Sequence, residues 1–261
     1  MPPLLMDSVH ALLERLRARS GGTVRFEERE NHPVQATVSM AGRGETAHRI
    51  VYRKSHDDGI NHAVAGGCAH LLRLFDAPEG ERFVPVSSRR TLMTFLMEEE
   101  EDLRRLTAVF GREKIRDMAV MWYEGAVFQL TRMPADIMVE KGLYDALPEL
   151  RPVQARMLRQ QWRSAINVLT PDARQYMPKR IHFAANVMNF AFFKILEDHL
   201  RLDWTAPYMK TIFLFDGGEL AEMTRREYGE GHAGDRAMID RWASKVGLEG
   251  WFEWIPWRER P

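Results

Sequence analysis

Cysteine is almost missing from this chain: Cys68 is the only one in 261 residues. A single thiol excludes an internal disulfide and any zinc site built from several thiolates, and it fits a reducing, cytoplasmic setting. Net charge is missing too, with 37 Lys and Arg against 37 Asp and Glu. That balance argues against a broad nucleic-acid footprint and leaves room only for a local basic patch. No apolar run reaches the ~18 residues that a membrane span needs. The best stretch, 183–196, is broken by Asn186, Asn189 and Lys194, so no membrane partner is expected. The opening Met1-Pro2-Pro3-Leu4-Leu5-Met6-Asp7 has neither a basic region nor a long apolar one, and no signal peptide is expected there. Internal repeats and low-complexity linkers are absent as well. What is there is an ordinary globular composition, 45% hydrophobic and 28% charged, long enough to bury a sizeable core.

Apolar periodicity divides the chain into two parts. Val9, Leu12, Leu13 and Leu16 predict a helix over 8–19, capped by Asp7 or Ser8 and ended by Gly21-Gly22. Alternating residues predict strands at 23–28, 36–40 and 47–53, with Gly42-Arg43-Gly44 turning between the last two. A largely helical segment follows over 59–75, with Asp57 or Asp58 as its N-cap. Pro78, Gly80 and Pro85 mark 76–88 as a loop. Beyond it, helical spacing recurs at 89–108, 112–131, 134–147, 151–168, 172–201 and 234–246, while 211–215 reads as a short strand or a buried turn. The expectation is an α+β fold in a single domain, 1–261. Its α/β front half, 1–85, merges into a mainly α-helical half, 86–261.

The informative stretch is Ile60-Asn61-His62-Ala63-Val64-Ala65-Gly66-Gly67-Cys68-Ala69-His70-Leu71-Leu72-Arg73. Two glycines in a helix interior cost about 1 kcal/mol each relative to Ala. A close contact, a ligand or a helix starting there would offset that cost. The window from Gly66 to His70 resembles the His-Glu-x-x-His motif of the zincin metallopeptidases, which sits on a helix following a small sheet. In that motif two histidines four apart reach one zinc from the same helix face, and the Glu activates the metal-bound water. Here Gly66 stands in place of the first His and Gly67 in place of the Glu. A second stretch, Leu130 to Tyr144, resembles the downstream helix of gluzincin-type proteins, which supplies a carboxylate as third ligand. Matching position assigns that role to Glu140, with Asp136 one turn earlier as the other candidate. The resemblance, which covers roughly 20–155, implies a small zincin-like sheet and an active-site-type helix. With the motif degenerate, it implies a scaffold whose peptidase chemistry is lost and which acts as a binding, regulatory or assembly component without a cofactor.

Each candidate has a competing reading. His70 is a residual metal ligand or a packed helical histidine. His62, Gly66 and His70 form one stripe, but a rise of ~1.5 Å per residue sets the two histidines ~12 Å apart along the axis. They share an ion only if the helix breaks at the glycines. The alternative function is a metal-dependent, zinc-using hydrolase with a site rearranged from His70, Glu140 and either His62 or Asp136. Cys68 and His70, two apart, face away from each other on a helix. The glycines serve close packing or an anion cradle. The acidic run from Glu98 to Asp102 reads as a solvated face with Glu100–Arg104 and Glu101–Arg105 pairs. The aromatic tail with Trp251, Trp254 and Trp257 either docks on the helices or anchors a protein partner. Arg156, Arg159 and Arg163 make a basic helix face that could contact phosphates. A third reading is therefore a helical adaptor for a protein or a nucleic acid.

Overall fold

The computed structural model describes residues 3–42, 44–200 and 202–260. Arg43 of the expected turn, Met1 and Pro2 of the N-terminal stretch, Arg201 at the end of one expected helix, and Pro261 lie outside the described residues. Helix α1 (Asp7–Ser20) buries Val9, Leu13 and Leu16, and it ends at Gly21 with φ 68°, a left-handed cap that glycine adopts without strain. Strands β1 (Thr23–Arg29), β2 (Ala36–Ser39) and β3 (Ala47–Arg53) form a sheet in the order β1-β3-β2. β1 runs parallel to β3 and β2 antiparallel to it, which leaves β2 as an edge strand whose other side pairs with no strand among the described residues. Helix α2 (Gly59–Asp76) packs against β2 and α1. It buries Ile60, Val64, Cys68 and Leu72 on the apolar stripe visible in the sequence.

The remainder is mainly helical: α3 (Arg89–Glu98), α4 (Glu100–Phe110), α5 (Arg112–Ala146), α6 (Arg151–Ile166), α7 (Pro171–Tyr176), α8 (Lys179–Leu200), α9 (Phe213–Glu227) and α10 (Gly231–Val246). A two-stranded ribbon pairs β4 (Phe83–Val86) with β5 (Glu253–Pro256). Among the described residues no helix is long and apolar enough to cross a membrane.

Several expectations are corrected here. The segment read as a loop, 76–88, contains β4, whose partner lies about 170 residues away and gives no local signal. The segment 211–215 leads into helix α9 rather than forming a strand. The helix expected over 89–108 breaks at Glu99, and the one over 172–201 breaks at Pro178, whose ring disfavours helical geometry in the residue before it. Conversely, α5 runs straight through the break expected at Pro134. A proline inside a helix costs about 3 kcal/mol, and here Met133, Pro134 and Ala135 are all buried, so packing offsets that cost.

There are two apolar cores. The front core joins α1, the sheet and α2 to Val139, Leu143, Leu150 and Val153. The helical core gathers around α8, with Phe192, Phe193, Leu196, Trp242 and Trp251 fully or almost fully buried. α5 contributes Ile137 to the helical core and Val139 to the front core. The seam between α2 and α5 is therefore where the two halves of the fold meet.

Candidate functional site

The motif helix stays continuous through Gly66-Gly67, and the two glycines have different reasons to be there. A Cβ on Gly67 would lie 2.4 Å from Cγ2 and 2.5 Å from Cβ of Val38. Helix α2 thus approaches β2 more closely than any side chain allows. A Cβ on Gly66 would meet nothing within 4 Å. Close packing accounts for Gly67 and leaves Gly66 facing open space.

The α2–α5 seam carries two histidine–carboxylate pairs. His62 Nε2 lies 3.0 Å from both carboxylate oxygens of Glu140. Gln154 of α6 donates to Oε2 and to the backbone carbonyl of Glu140, each at 2.7 Å. Glu140 is only 7% exposed, so these donors supply what water would supply outside. Eight residues on, His70 Nε2 hydrogen-bonds Asp136 Oδ1, and Arg132 Nη2 reaches the same oxygen from 3.4 Å. Burial pulls the His62 pKa down, but the charge and hydrogen bond of Glu140, helped by Asp136, carry it above its ordinary value. Burial raises the Asp136 pKa, but Arg132 and His70 more than reverse this and hold it below the usual carboxylate value.

Beside His70 the seam opens into a groove of about 450 Å³. Its walls come from β2 (Val38 and Ser39), from α5 (Phe128 and Arg132), and from β4 and α10. Asp235, one of its lining residues, is held by a bidentate pair from Arg73, at 2.7 Å and 2.6 Å. The Tyr228 hydroxyl lies 2.7 Å from Asp235 and 2.9 Å from the Pro134 carbonyl. A second, larger cavity of about 570 Å³ is lined by Ser20, His48 and Trp257. There Ala41 N–H donates to His48 Nδ1 at 3.1 Å, so the ring proton sits on Nε2, 2.8 Å from Ser20 Oγ. That tautomer cannot accept the serine proton, and Ser20 instead donates to Leu16 O at 2.8 Å. The pair is not a nucleophile and its base.

A zinc site shared by the two motif histidines does not fit the residues present. The α2 helix is unbroken, so His62 and His70 stay ~12 Å apart along its axis, too far to share an ion with ~2 Å bonds. Each faces a different carboxylate, and Gln154 takes up a further lone pair of Glu140. Among the described residues no group of three or more His, Cys, Asp or Glu is placed to hold a metal ion. Cys68 is fully buried, and burial pushes its thiol up to about 12. It is a small core residue, not a nucleophile.

The other sequence candidates are dispersed. Trp251 is fully buried, with Phe95 at 4.9 Å between ring centroids, so the reading of it as an exposed anchor is corrected to docking. Trp254 lies in β5 and donates to Asp240 at 2.8 Å. Trp257 stacks edge-on against Phe75 at 5.3 Å. Arg156 is ion-paired with Asp58 and lies 3.6 Å from Asp57, which neutralises it as a phosphate contact. Arg159 and Arg163 remain exposed on α6. Glu100–Arg104 pairs as expected at 2.8 Å. Arg105, however, turns to Asp102 rather than Glu101, and Asp102 accepts from Lys179 N at 2.6 Å at the start of α8. Glu99 is buried beside Arg180, and burial raises its carboxyl to about 7. The acidic run is therefore in part an internal helix junction. Sequence reasoning missed Gln154, Arg132, Arg73 and Asp235. Gln154 had one readable signal, a polar residue on the apolar stripe with Val153 and Leu158.

Compared with protein-family models, with curated proteins and with solved structures, the chain has no match.

Proposed function

We propose that this protein is a zincin-like scaffold without peptidase chemistry, and that it binds an extended polypeptide segment in the groove beside His70. One observation carries the reading: each histidine of the motif helix is committed to its own carboxylate on α5, as a structural tie rather than a ligand set. The arrangement agrees with the resemblance in two further respects. Helix α2 follows a small sheet, and the carboxylates matched to the downstream helix do face it. The position of the water-activating Glu is taken by Gly67, whose missing side chain Val38 occupies. What is left is a groove lined in part by Val38 and Ser39 of the edge strand β2, and main-chain pairing to an edge strand holds an extended peptide without any chemistry. Protein, rather than nucleic acid, is the partner class this favours.

Zinc content of the purified protein, measured by mass spectrometry without chelators, tests the loss of chemistry. The expected result is far less than one zinc per chain, unchanged in Glu140→Ala. About one zinc per chain, lost in Glu140→Ala or His70→Ala, would restore the rearranged hydrolase built on those residues.

A further inference from the structure

The break between α3 and α4 falls at Glu99, and its carboxylate is poorly provided for. Glu99 is 5% exposed, although the neighbouring Glu100 and Glu101 are exposed. Among the described residues its only polar side-chain partner is Arg180, whose Nε lies 2.9 Å from Oε1. That guanidinium is shared. Its Nη1 donates to Glu98 Oε2 at 2.6 Å and to the Gly247 carbonyl at 3.2 Å. Glu98 Oε2 also accepts from Trp251 Nε1 at 2.9 Å. On the α4 side stands Asp102, itself buried. It accepts from Lys179 N at 2.6 Å and pairs with Arg105 Nε at 3.2 Å, with Lys179 Nζ 3.9 Å away. Three carboxylates therefore converge on the first turn of α8. Glu98 and Asp102 each have other donors; Glu99 has only the share of Arg180 that Glu98 leaves it.

A buried carboxylate beside two others binds a proton more readily than it carries a third charge. Burial is the largest cause, Asp102 and Glu98 add to it, and Arg180 opposes it; the net result is a carboxyl raised to about 7. The helices on either side are anchored. Phe95 of α3 packs on Tyr123 and Trp251, and Leu106 of α4 is fully buried. The cost of a charge at Glu99 therefore falls on the turn between them. We infer that the α3–α4 junction is a proton-operated joint: it is closed on the start of α8 while Glu99 is protonated, and it loosens when Glu99 ionises and turns toward water.

The direction follows from linkage. A carboxyl whose value is raised in the fold contributes fully below its ordinary 4.5, and that contribution is lost as pH rises to about 7. Two backbone bonds report on the joint, Glu99 N to Phe95 O at 3.0 Å and Leu103 N to Glu99 O at 2.9 Å. Amide hydrogen exchange of the full chain, expressed as protection factors to remove the intrinsic effect of pH, reads them directly. Protection at Glu99 and Leu103 is expected to fall about tenfold per pH unit between roughly pH 5 and 6.5 and to level off near pH 7. In Glu99→Gln, which stays neutral, it should hold its low-pH level throughout. Carbon-13 shifts of the Glu99 carboxyl in the unaltered protein give a second readout if that variant fails to fold, with a midpoint expected near 7. A midpoint at the ordinary 4.5, protection at the junction that ignores pH, or a pH response that persists in Glu99→Gln would overturn the inference.

Discussion

At one end of the α2–α5 seam, His62 donates to a Glu140 that is buried and held again by Gln154. At the other end, His70 meets an Asp136 that shares itself with Arg132, and both His70 and Arg132 line the groove. The same two residue types, on the same two helices, make a closed tie and an open one. The difference lies in what stands behind the carboxylate. Behind Glu140 is α6, which packs across the seam and brings Gln154; Asp136 has Arg132 of its own helix beside it and keeps its side chain 24% exposed. The closed end binds the two cores together, and the open end is where a ligand has access.

Removing the closed carboxylate should have the largest effect. Glu140→Ala leaves His62 without its acceptor and Gln154 with only the backbone carbonyl of position 140, a loss of about 3 kcal/mol in denaturant unfolding. His70→Ala at the open end should cost about 1 kcal/mol, because water can take over the freed Asp136. Equal losses at the two ends would remove the distinction. Next come the glycines. Gly67→Ala forces a methyl into Val38 and should destabilise by about 2 kcal/mol. Gly66→Ala, entering open space in a helix interior, should stabilise by about 1 kcal/mol. Thermal melts of the two variants check that they move in opposite directions.

The smallest effect is the pH dependence, and it again separates the ends. The His62 pKa is raised above 6.5 in the fold, so its contribution is complete below pH 6.5 and is lost as pH rises through the raised value. The Asp136 pKa is lowered below 3.8, so its contribution is complete above pH 3.8 and is lost as pH falls through the lowered value. Unfolding free energy measured across pH should therefore lose its alkaline decline in His62→Gln and keep its acid decline.

Much of this was legible in the residues. The three front strands and the helix with the paired glycines follow from local alternation and spacing. The resemblance to a gluzincin-type downstream helix singled out Glu140, with Asp136 one turn earlier, and both face the motif helix. What could not be read was partnership across the chain. Spacing showed that His62 and His70 cannot share an ion, but it could not show that each meets a different carboxylate. The ribbon of β4 and β5 escaped for the same reason, with Pro85 and Pro256 adding a local bias against strand. Gln154, Arg73 and Asp235 act only because α6, α2 and α10 converge, and nothing within any one of those segments encodes that meeting. The acidic run shows the opposite error, since a local reading put Asp102 in solvent where a distant helix start claims it.

The central claim is that the motif histidines are tied to carboxylates instead of serving a metal. Two-bond proton–nitrogen correlation spectra of the histidine rings, recorded during a zinc titration, test it most directly. The account predicts that His62 and His70 each carry a proton on Nε2 that is hydrogen-bonded to carboxylate, that the His62 signal is lost in Glu140→Ala, and that neither ring shifts at stoichiometric zinc. Loss of those ring protons and joint movement of both histidines as one equivalent of zinc is added would contradict it.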